Sequence, residues 1–164
     1  MLWLTNGDNM RVLVCGSRDW PEDGLPAAII CSTLLGLYYS HEVGVGTLYL
    51  DPFVVIQGGA RGADSVAKNW AENDPLHPPL GKINPNFNVP YILLETYMAD
   101  WKTYGKSAGF IRNKKMLEEG KPDLVLAFKS RDISKGTDMM IDLAKYKVPI
   151  FITYLDMLDK YKDL

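Results

Sequence analysis

Apolar runs typical of buried strands alternate along this chain with patterns typical of amphipathic helices. Val54, Val55 and Ile56 are consecutive β-branched residues, which predict a strand buried on both faces. The next apolar positions have the i, i+3, i+4, i+7 and i+8 spacing of one helix face: Ala63, Val66, Ala67, Trp70 and Ala71. The glycine-rich stretch 57–64 joins the strand to the helix. Because backbone N–H groups and a helix dipole converge at such a turn, it predicts a phosphate-binding site. A tight turn without a ligand is the alternative.

The rest of the chain repeats this alternation. Further strands are predicted at 11–16, 91–95, 123–128 and 148–152, and further helices at 21–38, 107–119, 136–144 and 155–162. Residues 1–10 form a lead-in, and the proline-rich residues 75–89 form a surface insertion. Alternating strands and helices imply parallel pairing through right-handed crossovers. We therefore predict one α/β domain over residues 1–164, with a Rossmann-like doubly wound sheet of about five mainly parallel strands flanked by helices.

Four loops with unusual residues follow the predicted strands, at 16–20, 57–64, 100–106 and 129–137. Sheets of this class bind ligands at the C-terminal ends of their strands, so these loops predict a shared site. Within the last loop, Gly136-Thr137 offers backbone and hydroxyl donors at a helix start.

Arginine and aromatic side chains in or near these loops suggest which ligand they would bind. Guanidinium groups form bidentate bonds to phosphate oxygens, and the candidates for this role are Arg18, Arg61 and Arg112. Loop aromatics can stack on a base, and the candidates are Trp20, Trp101 and Tyr104. A solvated helix face for Arg112 and a core-edge position for each aromatic residue are the alternatives.

Composition narrows the function classes. The chain has 164 residues, of which 47% are hydrophobic and 23% charged, and its net charge is −2. This acidic balance weighs against charge-driven nucleic-acid binding. Cys15 and Cys31 lie in apolar segments and predict buried thiols in a reducing compartment. His41 and His77 are isolated, so no metal site is predicted, and neither is a cofactor. No apolar run is long enough to span a membrane, and we expect a cytoplasmic protein.

Three familiar nucleotide and hydrolase motifs do not occur in the chain. The turn after the first strand lacks G-x-G-x-x-G, so the dinucleotide-binding fingerprint is not present. The chain also contains no G-x-x-x-x-G-K-[ST] motif of P-loop ATPases and no G-x-S-x-G nucleophile elbow.

A set of ordered motifs resembles a known family. These motifs are Val12-Leu13-Val14-Cys15-Gly16-Ser17-Arg18-Asp19-Trp20, Gly58-Gly59-Ala60-Arg61-Gly62-Ala63-Asp64, Asp100-Trp101 with Tyr104-Gly105-Lys106, Ala108-Gly109 with Arg112-Asn113 and Met116, and Lys135-Gly136-Thr137. They resemble the YspA/cpYpsA-related branch of the SLOG superfamily, which also contains the LOG-type cytokinin-activating phosphoribohydrolases and the DprA/Smf DNA-processing proteins. The resemblance extends from Arg11 to about Ile152 and fails over residues 75–88.

The resemblance implies a Rossmann-like fold whose pocket binds a nucleotide-like small molecule. The residues expected to bind the ligand are Gly16, Ser17, Arg18, Gly58, Gly59, Ala60, Arg61, Gly62, Asp64, Trp101, Lys106, Arg112, Asn113, Gly136 and Thr137. LOG relatives also imply a homodimer, although one sequence shows no interface.

The same resemblance bears on catalysis. LOG enzymes act on the N-glycosidic bond with the glutamate of a P-G-G-x-G-T-x-x-E motif, and Met140 stands at that position here. Asp64, Asp138 and Arg112 are therefore the candidate catalytic residues. Three hypotheses follow: a nucleotide-binding protein that acts as a sensor, a hydrolase that uses Asp64 or Asp138, and a DprA-like protein that binds single-stranded nucleic acid.

Overall fold

The computed structural model describes residues 9–44, 52–73, 92–130 and 134–158. Its strands are β1 (Met10–Gly16), β2 (Phe53–Gln57), β3 (Ile92–Thr96), β4 (Leu124–Lys129) and β5 (Ile150–Tyr154). Within those ranges the helices are α1 (Gly24–Gly44), α2 (Ala63–Asn73), α3 (Trp101–Tyr104), α4 (Ala108–Glu118), α5 (Lys135–Ala144) and α6 (Leu155–Leu158). The predicted insertion at 75–89 and most of the predicted lead-in lie outside the described residues.

The five strands form one sheet in the order β3-β2-β1-β4-β5, and every neighbouring pair is parallel. The central strand β1 places Leu13 beside Ile56 of β2 and Cys15 beside Ala127 of β4. The predicted Rossmann-like α/β class is therefore confirmed. Because the chain runs outward from β1 to β3 and then returns to β4, the strand order reverses between β1 and β4. That reversal creates a crevice at the C-terminal ends of these two strands.

Helices cover both faces of the sheet. Helices α1, α2 and α6 pack on one face around Val12, Val14 and Phe53, and helices α4 and α5 pack on the other around Leu13 and Val125. The predicted apolar face of α2 is confirmed, because all of its members are buried: Ala63, Val66, Ala67, Trp70 and Ala71. None of the helices in the described ranges is long and apolar enough to cross a membrane.

Three predicted boundaries were wrong. Residues 100–106, predicted as a loop, form α3 and the start of a 3-10 turn, because the Asp100 carboxylate accepts the Thr103 N–H at 2.9 Å and caps the helix. Helix α1 begins at Gly24, three residues after the predicted start at residue 21. Strand β5 begins at Ile150, two residues later than predicted, because Pro149 has no N–H to donate to the ladder.

Candidate functional site

A cavity of about 830 Å³ lies at the crevice where the strand order reverses. Cys15 and Gly16 at the end of β1 and Ser130 after β4 form part of its wall, and residues of α3, α4 and α5 complete it. Its volume falls within the range of about 300–1,000 Å³ that is usual for small-molecule sites. The predicted location of a ligand site therefore coincides with a cavity of suitable size.

Most of the predicted ligand-binding residues meet at this cavity. Those that line it are Gly16, Arg18, Ala60, Arg61, Asp64, Trp101, Lys106, Arg112, Asn113, Gly136 and Thr137. Gly58 and Gly59 line a second, smaller cavity of about 250 Å³. Ser17 and Gly62 line neither cavity. The buried Ser17 hydroxyl accepts the Ser130 N–H at 3.0 Å, so Ser17 joins the loops after β1 and β4.

Four backbone N–H groups of the glycine-rich turn donate to side chains of the same chain. Asp64 Oδ2 accepts the Gly58 N–H at 2.9 Å and the Ala60 N–H at 3.4 Å. The Gly59 N–H donates to Gln57 Oε1, and the Gly62 N–H donates to Glu22 Oε1 at 2.7 Å. The convergence of N–H groups expected from the sequence is therefore present, but carboxylate and amide oxygens of the protein occupy it.

Asp64 is a buried carboxylate on the cavity wall, with 4% of its surface exposed. Burial raises its pKa, and this effect outweighs the attraction of Arg112 and the two backbone hydrogen bonds, which act in the opposite direction. A raised pKa brings the proton affinity of Asp64 closer to the value that a general acid needs. The same carboxylate also holds the turn in place, so any change in its protonation affects the turn.

Arg112 connects helix α4 to the glycine-rich turn. Its Nη1 donates to the Gly58 carbonyl oxygen at 2.8 Å, and its Nε donates to Asn113 Oδ1 at 3.1 Å. Asn113 in turn donates from Nδ2 to the Gly136 carbonyl oxygen at 3.0 Å, which ties α4 to the first turn of α5. Burial is the main cause of a lowered Arg112 pKa, although the guanidinium stays protonated at neutral pH.

The first turn of α5 forms the opposite side of the larger cavity, where Lys135, Gly136 and Thr137 line it. The Thr137 hydroxyl lies 2.7 Å from the Ser134 hydroxyl. Asp138 is an ion-pair partner of Lys129, and it does not line either cavity. Met140, where the resemblance would place the LOG glutamate, is fully buried in the apolar layer between α5 and the sheet. Asp64 is thus the candidate catalytic carboxylate that faces the cavity.

The three candidate aromatic residues lie in different environments. Trp101 is 51% exposed and lines both cavities, and the Arg18 guanidinium carbon lies 5.8 Å from the centre of its ring. Tyr104 is exposed but lines neither cavity. The interpretation of Trp20 as a stacking residue was wrong. Its ring is buried in the core, edge-on to Phe128, and its Nε1 donates to the Pro26 carbonyl oxygen.

Several cavity residues had no assigned role from the sequence. Phe110 projects from α4 into the larger cavity and is 45% exposed, and Met98 lines the smaller one. The sequence could have indicated Lys135 as a site residue, because this cation directly precedes the predicted donor pair Gly136-Thr137. Phe110 gave no such signal, because an aromatic residue within a helix is equally consistent with a core position. Cys15 also lines the larger cavity, where burial raises the pKa of its thiol.

Comparison with known proteins finds a relative in a bacteriophage. The chain is 35% identical over 118 residues to the Gene 61 protein of Mycobacterium phage D29, an alignment that covers 72% of this chain and 75% of that protein. No family model matches the chain, and no solved structure matches it.

Proposed function

The chain belongs to the family of the Gene 61 protein, and from the geometry of its larger cavity we propose that it binds a nucleotide or a nucleotide-derived ligand. The observation that carries this proposal is the meeting of Arg18, Arg61 and Arg112 with the half-exposed ring of Trp101. Arginine is suited to phosphate oxygens, and an exposed aromatic ring is suited to the face of a base. The resemblance to SLOG proteins, which remains an expectation, points to the same ligand class.

Arg18 and Arg61 are the residues best placed to hold the phosphate. Within the described ranges neither guanidinium has a carboxylate partner, so both can bind an anion without breaking an ion pair. The Arg112 guanidinium already forms hydrogen bonds to Gly58 and Asn113, so it attracts an anion mainly through its charge. The first-turn N–H groups of α5 are a second group of donors on the same cavity. The glycine-rich turn contributes its shape and the Arg61 side chain rather than the N–H groups of its glycines and Ala60, which have internal acceptors.

The positions of the candidate catalytic residues favour binding of the ligand without hydrolysis. Met140 supplies no carboxylate, and Asp138 pairs with Lys129 outside the cavity. A second candidate function rests on Asp64, because a buried carboxyl group with a raised pKa can act as a general acid in hydrolysis of an N-glycosidic bond. Mass spectrometry of nucleoside monophosphates incubated with the protein separates the two functions. Release of free base would favour the hydrolase, and unchanged nucleotides would favour binding alone.

Thermal unfolding with a panel of nucleotides tests the binding proposal. The panel contains the four ribonucleoside 5′-monophosphates and the four corresponding nucleoside diphosphate glucoses. A ligand at 100 times its Kd adds about 2.7 kcal/mol to the free energy of unfolding. For a chain of this length that corresponds to a rise in Tm of roughly 5–10 °C. We expect at least one member of the panel to give such a rise.

Arg61→Ala is the variant that tests the site. The Arg61 side chain is exposed, so the fold should persist while the ligand-induced rise in Tm is lost. Lys114→Ala on α4 is the matched control, because Lys114 is also exposed and lines neither cavity. Gly59→Val would be a poorer test, since Gly59 has a φ of +69° and a side chain there would meet Met98. An unchanged rise in Tm in Arg61→Ala would place the ligand elsewhere.

A further inference from the structure

The three arginines of the site lie at the boundary between its two cavities, whereas Lys106 and Lys135 line only the larger one. Five residues line both cavities, and they are Arg18, Ala60, Arg61, Trp101 and Arg112. Three of the five are arginines. Asp64 compensates one of these charges, since its carboxylate and the Arg112 guanidinium both form hydrogen bonds to the backbone of Gly58. The boundary thus retains about two positive charges, with open space on either side of them.

The two cavities differ in size, and each also has lining residues that the other lacks. The larger, at about 830 Å³, has the Phe110 ring and the first turn of α5, and it can hold a whole nucleoside. The smaller, at about 250 Å³, is formed by Gly58, Gly59, Met98 and Ala99 beyond the shared residues. It falls below the volume range of complete ligand sites, so it suits one part of a ligand that extends into it.

We propose that the ligand carries an internal phosphate, with a nucleoside in the larger cavity and a second, smaller group such as a sugar in the cavity beside Met98. This inference rests on the proposed function and specifies the ligand class. The position of the arginines is the deciding feature, because a terminal phosphate and a diphosphate bridge can carry a similar charge at neutral pH. A terminal phosphate held by the arginines would leave the smaller cavity empty, whereas a bridging diphosphate places groups on both sides.

A competing arrangement puts a terminal phosphate at the first turn of α5, inside the larger cavity. The structure gives this arrangement suitable donors at Gly136 and Thr137, but it leaves Arg61 and Met98 without a part in binding. The two arrangements predict different preferences. The bridging arrangement favours a nucleoside diphosphate sugar over the monophosphate of the same base, and the terminal arrangement favours the monophosphate.

Calorimetric titration of the full chain measures this preference. The probes are AMP, GMP, CMP and UMP, each paired with the diphosphate glucose of the same base, and a ten-residue single-stranded oligodeoxynucleotide. For the preferred base we expect the diphosphate glucose to bind at least tenfold more tightly than the monophosphate. Equal or tighter binding of the monophosphate would overturn the internal-phosphate inference and leave the proposed function standing. An oligonucleotide that binds more tightly than every small molecule would overturn the assignment of a small ligand.

Met98→Trp tests the role of the smaller cavity. Met98 is 71% exposed, so the larger ring should fill space near Gly59 without disturbing the core. We expect the ratio of the two affinities, diphosphate glucose over monophosphate, to fall about tenfold in this variant. Ala99→Leu fills the same cavity from a different residue and should lower the ratio in the same direction. Met157→Trp is the matched control, since Met157 is 53% exposed on α6 and lines neither cavity.

The outcomes separate the inference from the proposed function. A ratio that stays unchanged in both Met98→Trp and Ala99→Leu would show that no part of the ligand enters the smaller cavity, and would overturn the inference alone. Failure of every probe to bind the wild-type chain would overturn the proposed function and the inference together.

Discussion

Removal of the Asp64 carboxylate should destabilise the fold, because this group holds the glycine-rich turn. Asp64→Ala leaves the N–H groups of Gly58 and Ala60 without their acceptor and removes the negative charge near Arg112. A buried N–H group that loses its acceptor costs about 1–3 kcal/mol, so the two bonds together are worth about 2–4 kcal/mol. We expect a decrease of that size in the free energy of unfolding. Asp64→Asn retains one carbonyl oxygen for the Gly58 N–H, so its cost should be smaller, about 1–2 kcal/mol.

The pH dependence of these variants gives a sharper test than their stability at one pH. The folded pKa of Asp64 is raised above its unfolded value of about 4, so the folded state binds more protons than the unfolded state between the two values. The stability that this adds is fully present below the unfolded pKa, and it is lost as the pH rises through the folded pKa. The free energy of unfolding should therefore fall across that window, by at most about 1.4 kcal/mol per pH unit. Asp64→Asn has no group to titrate and should lack this fall.

Urea unfolding followed by tryptophan fluorescence, at half-unit steps from pH 4 to pH 8, measures both effects. Trp20 and Trp70 are buried in the core and report its exposure. Asp142→Asn is the matched control, because Asp142 is exposed on α5 and pairs with Lys145, so its free energy of unfolding should stay within about 0.5 kcal/mol of wild type. If the wild-type chain and Asp64→Asn show parallel pH curves, the pKa of Asp64 is not raised. A cost below 1 kcal/mol for Asp64→Ala would refute its role in holding the turn.

Two further predictions concern packing at the turn and an ion pair far from it. A Cβ at Gly58 would lie 2.8 Å from the Arg112 guanidinium carbon, so Gly58→Ala should displace Arg112 and lower the free energy of unfolding by about 1–3 kcal/mol. Gly36→Ala, at an open position of α1, should instead raise the free energy of unfolding by about 0.5–1 kcal/mol. Chemical denaturation of both variants checks this contrast, and equal effects would contradict it. Arg11 donates to both Glu95 carboxylate oxygens at 2.7 Å and to the Gly120 carbonyl oxygen at 2.6 Å. Arg11→Ala should therefore lower the free energy of unfolding by about 1–3 kcal/mol. A decrease no larger than that of the exposed Lys114→Ala would show that this ion pair adds little to stability.

The fold was predictable because its strongest signals are local. A run of β-branched residues such as Val54, Val55 and Ile56 is stable only where both of its faces are covered, and all three are fully buried in the sheet. The helix after it carries apolar residues at a strict helical spacing, so its buried face followed directly. Once strands and helices alternate, parallel pairing and the position of the crevice follow from the handedness of the crossovers.

The contacts inside the site were not predictable to the same degree, since they join residues distant in sequence. Nothing in the turn itself indicates that Glu22, forty residues earlier, accepts the Gly62 N–H. Trp20 shows a related difficulty. It follows a strand end without any periodic pattern, which is typical of a loop, yet its ring packs on Phe128, a residue more than one hundred positions later. The residues that reach the cavity were largely anticipated, whereas their hydrogen-bond partners were not.

The internal hydrogen bonds of the glycine-rich turn determine where the negative charge of a ligand should lie. A glycine turn with open N–H groups would draw a phosphate to the backbone, but Asp64 already places a carboxylate at that point, and a second anion there would meet electrostatic repulsion. The side chains of Arg18 and Arg61, at the boundary between the two cavities, are therefore better placed than the turn to receive an anion. The same arrangement weighs against hydrolysis. If Asp64 gave or took a proton during catalysis, its bonds to Gly58 and Ala60 would weaken, and the turn that carries Arg61 would loosen during the reaction.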